Sequence, residues 1–293
     1  MSSATFGYYP GCSLEGTAVE YDRSSRACCE ALGVALAEIP DWSCCGSSPA
    51  HAVDTTLSGA LSARNLGLAH QCGMAGVVTP CPSCLVNLRS AERDLGDPAK
   101  RPGIDKLLGT PCPGSVPAKS LLQVLFEEAG PQVVANKTVR SLAGLKVIPY
   151  YGCILNRPPE LMAFDDPENP VAMDALLAAA GAEVLPFALK TECCGASYGV
   201  PRKDLVMELS GRLLESAAEL GAEALAVACP LCQMNLDLRQ DQVAQARGQE
   251  FNLPVFYFTQ LLGLALGLER SRLGLEKLTV SPAAVLRKLG TSF

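Results

Sequence analysis

Ten of the fourteen cysteines in this chain fall into one five-cysteine pattern written twice. The first copy is Cys12, the adjacent pair Cys44 and Cys45 before Gly46, and Cys81-Pro82-Ser83-Cys84. The second is Cys153, the pair Cys193 and Cys194 before Gly195, and Cys229-Pro230-Leu231-Cys232. Corresponding cysteines lie 141 positions apart at the first member and 148 or 149 at the others. Neighbouring residues repeat as well. Gly11-Cys12 matches Gly152-Cys153, with Tyr9 set loosely against Tyr151. Cys45-Gly46-x-Ser48 matches Cys194-Gly195-x-Ser197, and Cys-Pro-x-Cys-x-x-Asn-Leu occurs at 81–88 and 229–236. The same thiol site written twice reads as a duplicated domain.

Thiols in this pattern suit metal or redox chemistry. Proline fits the first turn of a helix, where its missing N–H costs nothing. Cys81 and Cys229 then become helix caps, with Cys84 and Cys232 one turn on. Sulfurs there face free N–H groups and the positive end of the helix dipole, which favours thiolates. The glycine after each Cys-Cys pair permits positive φ, so that both side chains reach one point across a turn. Each half supplies five thiolates, whereas a tetrahedral zinc site or a standard cubane iron–sulfur cluster takes four. The fifth is spare, exchangeable or a bridge between irons. Spacing alone does not separate these, but two such sites point to electron transfer or two-electron sulfur chemistry.

Cys28, Cys29, Cys72 and Cys112 lack this context and read as small buried hydrophobes. His51 and His70 are the only histidines, both in the first half, which excludes a symmetric histidine-based metal site. Arg157, Lys190, Arg202 and Lys203 lie close to the second set and are candidates to anchor an acidic substrate.

The elements that must position these groups follow from the rest of the sequence. Runs at 5–9, 34–39 and 75–79 look like strands, with counterparts at 146–150, 183–187 and 224–228. Stretches such as 57–71 and 203–220 carry helical apolar spacing and stop near Gly73 and Gly221. Alternating strands and helices predict an α/β fold: two similar Rossmann-like parallel-sheet domains related by pseudo-two-fold symmetry. Cys12, Cys81, Cys153 and Cys229 then follow strand ends, where such sheets gather ligands. Residues 97–117 hold five prolines and form an irregular excursion. Leu121–Phe126 resembles Leu261–Leu266, which puts the domain boundary near 136–145 and the domains at 1–140 and 141–293.

The 293 residues suit two domains at roughly 150 each. Net charge is −6 with no dense basic run, against a nucleic-acid partner. The chain start lacks a secretory pattern and no run nears the roughly 20 apolar residues of a membrane span. The expectation is a cytoplasmic protein in a reducing compartment, where fourteen cysteines are not disulfides.

At these residues the chain resembles the B subunit of heterodisulfide reductase, whose signature is the duplicated cysteine-rich CCG domain. Tyr-Tyr-Pro-Gly-Cys at 8–12 and Tyr-Tyr-Gly-Cys at 150–153 share the likeness, which covers roughly residues 5–265. The resemblance implies two non-cubane [4Fe–4S] clusters. Cys12, Cys44, Cys45, Cys81 and Cys84 would hold one, and Cys153, Cys193, Cys194, Cys229 and Cys232 the other. It implies as partners the iron–sulfur C subunit and the flavin-bearing A subunit of such a complex, and as substrate a mixed disulfide cleaved between the clusters. Two alternatives stay open: an electron relay in a lactate- or glycolate-oxidising complex, which also contains CCG domains, and a zinc-stabilised assembly module.

Overall fold

The computed structural model describes residues 4–47 and 49–290, so the Ser48 match lies outside it. The strands are β1 Phe6–Tyr8, β2 Leu36–Glu38, β3 Val77–Thr79, β4 Ala118–Ser120, β5 Lys146–Tyr150, β6 Glu183–Val184, β7 Ala224–Val227 and β8 Val255–Tyr257. They form two four-stranded parallel sheets, ordered β2-β1-β3-β4 and β6-β5-β7-β8. Most are short runs with buried side chains between helices, the composition of a sheet covered on both faces. Each expected strand is present: β5 fills its run, β6 keeps only two residues of its five, and the others are somewhat shorter than expected. Apolar patterning does not single out β4 and β8, the short strands that complete the sheets.

The two halves are similar α/β units, as expected from the repeat. The strand order reverses between β1 and β3 in one and between β5 and β7 in the other. Ligands of doubly wound sheets collect in the crevice beyond such a reversal. Cys12 and Cys81 follow β1 and β3, and Cys153 and Cys229 follow β5 and β7, so each crevice receives a cysteine from either side. The long helices Thr55–Gln71 and Lys203–Glu219 fill the expected helical stretches. Asp54 caps the first of them, accepting from Thr56 N at 2.7 Å. Residues 97–117 are less irregular than expected, because Arg101–Leu108 is a helix packed on Thr55–Gln71.

The halves grip each other reciprocally. Helix Val19–Leu32 of the first packs on Phe258–Ala265 of the second, and Ala172–Ala179 of the second packs on Leu121–Val124 of the first. One continuous hydrophobic core includes residues of both halves. Among its cross-links are Ser24 Oγ to Thr259 Oγ1 at 2.7 Å and the Cys28 thiol donating to the Thr259 carbonyl at 3.0 Å. Cys28 therefore does serve the packing. Cys112 is buried against the Gly114 carbonyl at 3.3 Å. Cys72, at the end of Thr55–Gln71, is exposed rather than buried.

The paired cysteine sites

The ten repeated cysteines gather into two sets, one per half. Cys81 and Cys229 are the caps of helices that begin at Pro82 and Pro230. That geometry places Cys84 and Cys232 one turn inward, both buried. Gly11 at φ 67° and Gly152 at φ 74° turn the chain after β1 and β5. A Cβ at either would meet the Sγ of Cys84 or of Cys232 at 3.0 Å, so glycine lets each loop close over sulfur.

The Cys-Cys-Gly loops are built alike. Gly46 has φ 80° and Gly195 φ 94°. A side chain there would run into Ser58 Cα or Val206 Cα at 2.9 Å, so each loop lies directly against its long helix. The glycine N–H groups donate back to sulfur, Gly46 N to Cys44 Sγ at 3.4 Å and Gly195 N to Cys193 Sγ at 3.3 Å. Ser62 Oγ donates to the Cys45 carbonyl at 2.8 Å, and Ser210 Oγ to the Cys194 carbonyl at 2.9 Å. Asn87 Nδ2 approaches Cys45 Sγ at 3.7 Å and Asn235 Nδ2 approaches Cys194 Sγ at 3.5 Å. In each pair the partners lie 148 positions apart; the serines hold the loop backbone and the asparagines touch sulfur. The repeated Cys-Pro-x-Cys-x-x-Asn is the signal for the asparagines, although sequence alone gives them no role.

The structure corrects the tyrosine match. Tyr9 donates to the Ser43 carbonyl at 2.8 Å and Tyr150 to the Glu192 carbonyl at 2.7 Å, each just before its Cys-Cys pair. Tyr9 therefore corresponds to Tyr150, and Tyr151 takes the place of Pro10. An unbroken offset of 141 carries Tyr9, Gly11 and Cys12 onto Tyr150, Gly152 and Cys153. Burial, and then the surrounding cysteines, hold both phenols well above their usual range.

Proton sharing among the thiols departs from the expectation of thiolates at both ends of each Cys-Pro-x-Cys. In the first set the Cys45 and Cys84 sulfurs are 3.4 Å apart, and in the second Cys194 and Cys232 are 3.6 Å apart. Hydrogen bonding with Cys84 lowers Cys45, to about 6, and also lowers Cys81, while it raises Cys84. Likewise hydrogen bonding lowers Cys194 and raises Cys232. The proton is favoured on Cys84 and on Cys232 because crowded thiolates cannot all ionise in a buried place.

The two sets differ in access. Cys12 and Cys44 are exposed beside an open groove that includes Trp42, whereas Cys153 and Cys193 are half-buried. The second set encloses a cavity of about 60 Å³. Its wall includes Tyr151, Cys153, Cys194, Cys229 and Cys232, and also Pro82 and Ser83 of the other half. Tyr21 is wholly buried between the sets, and Cys229 and Cys81, after burial itself, keep its phenol well above the ordinary range. No sequence signal marks Tyr21.

Three of the four expected substrate anchors are already engaged. Lys190 is buried, donating to the Pro170 carbonyl at 2.7 Å and Asp174 Oδ1 at 2.9 Å, while Tyr151 donates to Asp174 Oδ2 at 2.5 Å. Arg157 is bound to Glu168 and Thr191, and Arg202 to Asp204. These three cations shape or decorate the second loop. Lys203 is exposed at a helix start.

Among the described residues, no three His, Cys, Asp or Glu side chains form a single-ion site. The donor set is of another kind: five soft sulfurs per half, with N–H donors placed on Cys44, Cys45, Cys193 and Cys194. Thiolates with hydrogen bonds to sulfur are the environment of iron–sulfur groups, and the residues fit such a group.

A family model described as a cysteine-rich domain matches residues 6–89 and again 147–237, once over each set. The chain is 35% identical over 92% of its length to the 8-methylmenaquinol:fumarate reductase membrane anchor subunit of Wolinella succinogenes, covering 95% of that protein. It is 30% identical over 95% of its length to the B subunit of a ferredoxin:CoB-CoM heterodisulfide reductase of Methanosarcina mazei, covering 95% of it. No helix among the described residues is long and apolar enough to cross a membrane. A hypothetical protein from Helicobacter pylori has the same fold, with a TM-score of 0.75 at 13% identity. That match covers 94% of this chain and 52% of the other, so this chain spans about half of that protein. With both copies of the domain matched and relatives aligned end to end, the chain belongs to the family of duplicated cysteine-rich CCG proteins that includes the B subunits of heterodisulfide reductases.

Proposed function

We propose that the chain is the iron–sulfur subunit of a disulfide oxidoreductase of the heterodisulfide reductase kind, working in the cytoplasm. In this reading residues 1–140 and 141–293 are two CCG domains. Cys12, Cys44, Cys45, Cys81 and Cys84 hold one non-cubane [4Fe–4S] cluster, and Cys153, Cys193, Cys194, Cys229 and Cys232 hold the other. An iron–sulfur C subunit and a flavin-bearing A subunit are its partners. The observation that carries the reading is the shared cavity: Pro82 and Ser83, between two cysteines of the first set, form part of the wall of the second. A disulfide placed at this seam would meet sulfurs of the second set on one side and, on the other, the Pro82-Ser83 turn that joins Cys81 to Cys84 of the first.

Bound clusters would supply single electrons and iron positions with affinity for sulfur. The chain's own residues do the rest. Tyr151, fixed by Asp174, and Pro82 narrow the seam and exclude water. Asn235 and Gly195 N hold Cys194 and Cys193 in place through their sulfurs. The overall step adds two electrons and two protons to the disulfide, breaks its S–S bond and yields two thiols. With Lys190 and Arg157 engaged elsewhere, substrate recognition rests on sulfur and on the shape of the seam.

The 35% identity to one component of a fumarate reductase supports a second reading, an electron relay without a disulfide. Iron and acid-labile sulfide analysis of anaerobically purified protein tests what both readings share, with about eight irons expected for two four-iron clusters. Two zinc ions and negligible sulfide would instead support an assembly module. Titration of the reduced protein with disulfides, followed by EPR, separates the first reading from the relay. Saturation with a new thiolate-bound signal supports disulfide chemistry, and unsaturating oxidation supports a relay.

A further inference from the structure

Both halves lay a short helix across the long one, Arg101–Leu108 on Thr55–Gln71 and Gln240–Arg247 on Lys203–Glu219. The outcomes differ. In the second half Arg247 packs against Gly211 and is neutralised by Glu208 and Glu215. In the first half the crossing is close at Gly103, where a Cβ would lie 3.2 Å from Thr56 Cγ2. Beside it opens a cleft of about 550 Å³. That is the size of a small-molecule site, roughly 300–1,000 Å³.

The lining is mostly polar, His51 included, with Val86, Ala99 and Ile104 its apolar side chains. Arg93 and Lys100 bring cations, Thr56 and Ser90 hydroxyls, and Asn87 an amide. One carboxylate, Asp94, also lines the cleft and is engaged by Lys100 at 2.7 Å and by Arg93 at 3.6 Å. A positive charge remains in a chain whose net charge is −6. A guanidinium fork among hydroxyl donors matches an oxyanion.

Asn87 joins this cleft to the first cysteine set. Its counterpart Asn235 is buried and bonded to Cys194 Sγ at 3.5 Å, the Cys194 carbonyl at 3.3 Å and the Ala196 carbonyl at 2.9 Å. Asn87 is only half-buried and reaches Cys45 Sγ at 3.7 Å. We propose that the cleft binds a small oxyanion, held by Arg93 and Lys100 with the Thr56 and Ser90 hydroxyls, and that Asn87 reports its occupancy to Cys45. An anion that draws the amide into the cleft takes an N–H donor away from sulfur. Losing that donor lowers the reduction potential of a group held there.

The binding half of the proposal is independent of any cluster; the coupling half rests on the iron–sulfur reading. Calorimetry on the full anaerobic protein, with inorganic phosphate in one arm and malonate in the other, tests the first. One saturable site is expected in at least one arm, with affinity at least tenfold weaker in Arg93→Ala and Lys100→Ala and unchanged in Lys106→Ala. The preferred arm distinguishes a phosphate from a carboxylate ligand. No saturable binding, or equal binding in all variants, overturns the site. EPR-monitored redox titration tests the second. The first-set signal should move to lower potential with the bound anion, and Asn87→Ala should abolish the shift. A bound anion with no shift, or the same shift in Asn87→Ala, overturns the coupling. Absence of iron in a chain that still binds the anion would sink the iron–sulfur reading and leave the binding site standing.

Discussion

Tyr21 and Tyr257, one from each half, stack face to face with ring centroids 3.9 Å apart and planes 6° from parallel. Both rings are buried, and the Tyr21 hydroxyl donates to the carbonyl of Ala228, the neighbour of Cys229, at 3.4 Å. The stack therefore fastens the halves at the point where their cysteine sets approach.

Removing the ring should open the seam. Tyr21→Ala is expected to cost about 3–5 kcal/mol, the usual loss for a large buried aromatic. Tyr21→Phe keeps the stack and loses one long hydrogen bond, for about 1 kcal/mol or less. Chemical denaturation of both variants checks this. A loss below about 1 kcal/mol for the alanine variant would show that other contacts hold the seam.

Cys194 and Cys72 should respond oppositely to serine. Cys194 is buried 3.6 Å from Cys232 and within reach of Asn235, whereas Cys72 is exposed at a helix end. On the proposed ligand set, Cys194→Ser loses much of the iron of the second half and its activity, while Cys72→Ser keeps both. Iron content at matched folding is the measurement. Equal losses in the two variants would show that the cysteines were wrongly sorted.

Sulfur is the most legible part of this molecule. Cap positions at Cys81 and Cys229 follow from the proline after each, because proline at the first helical position is a local rule that packing rarely overrides. The parallel sheets follow from alternating apolar runs. Strands β4 and β8 escape notice because each runs directly into a helix, Leu121–Val124 or Phe258–Ala265, so no turn sets off a separate strand-like run. Adjacent tyrosines at 150 and 151 offer Tyr9 two partners; the constant offset of 141 in sequence already favours Tyr150, and the hydrogen bonds to Ser43 and Glu192 establish it. Tyr21 is illegible for a different reason. Its neighbours Cys81, Cys229 and Tyr257 are brought together by the docking of the halves, which no local pattern encodes. Lys190 looks like a free cation in sequence, and only its fold-imposed burial beside Asp174 shows otherwise.

Glu20 should make stability depend on pH. It is buried, with its Cβ 2.5 Å from where a side chain on Gly274 would begin. Burial raises its carboxyl pKa, and Asp237 and Glu276 add to the rise, while a backbone hydrogen bond and Lys277 oppose it. A raised folded pKa means the native state holds the proton more tightly than the unfolded chain, where a glutamate titrates near about 4.3. This contribution is complete below that value and is lost as pH rises through the folded pKa. Glu20→Gln removes the dependence, so the variant should gain stability over the parent at pH 7.5 and match it more nearly at pH 4. Denaturation at both pH values decides the matter; a gain that is the same at each would rule out titration of Glu20 as its source.

Ser83 offers the sharpest separation of the two functional readings. It belongs to the first half, is half-buried, and lines the cavity of the second cysteine set. Phenylalanine there projects into a space of about 60 Å³ and replaces no cysteine, although Cys84 is its sequence neighbour. Iron content and reduction by a small soluble electron donor should therefore stay close to those of the parent. If a disulfide reacts at the seam, disulfide-dependent oxidation should fall at least tenfold, a cost of about 1.4 kcal/mol or more in the barrier. In a pure relay the electrons pass without a substrate at the seam, and both rates should survive together. Stopped-flow oxidation of the reduced parent and Ser83→Phe by a disulfide, and by ferricyanide as an outer-sphere control, distinguishes these outcomes: selective loss of the disulfide reaction supports chemistry at the seam, and parallel retention of both assigns the chain to electron relay.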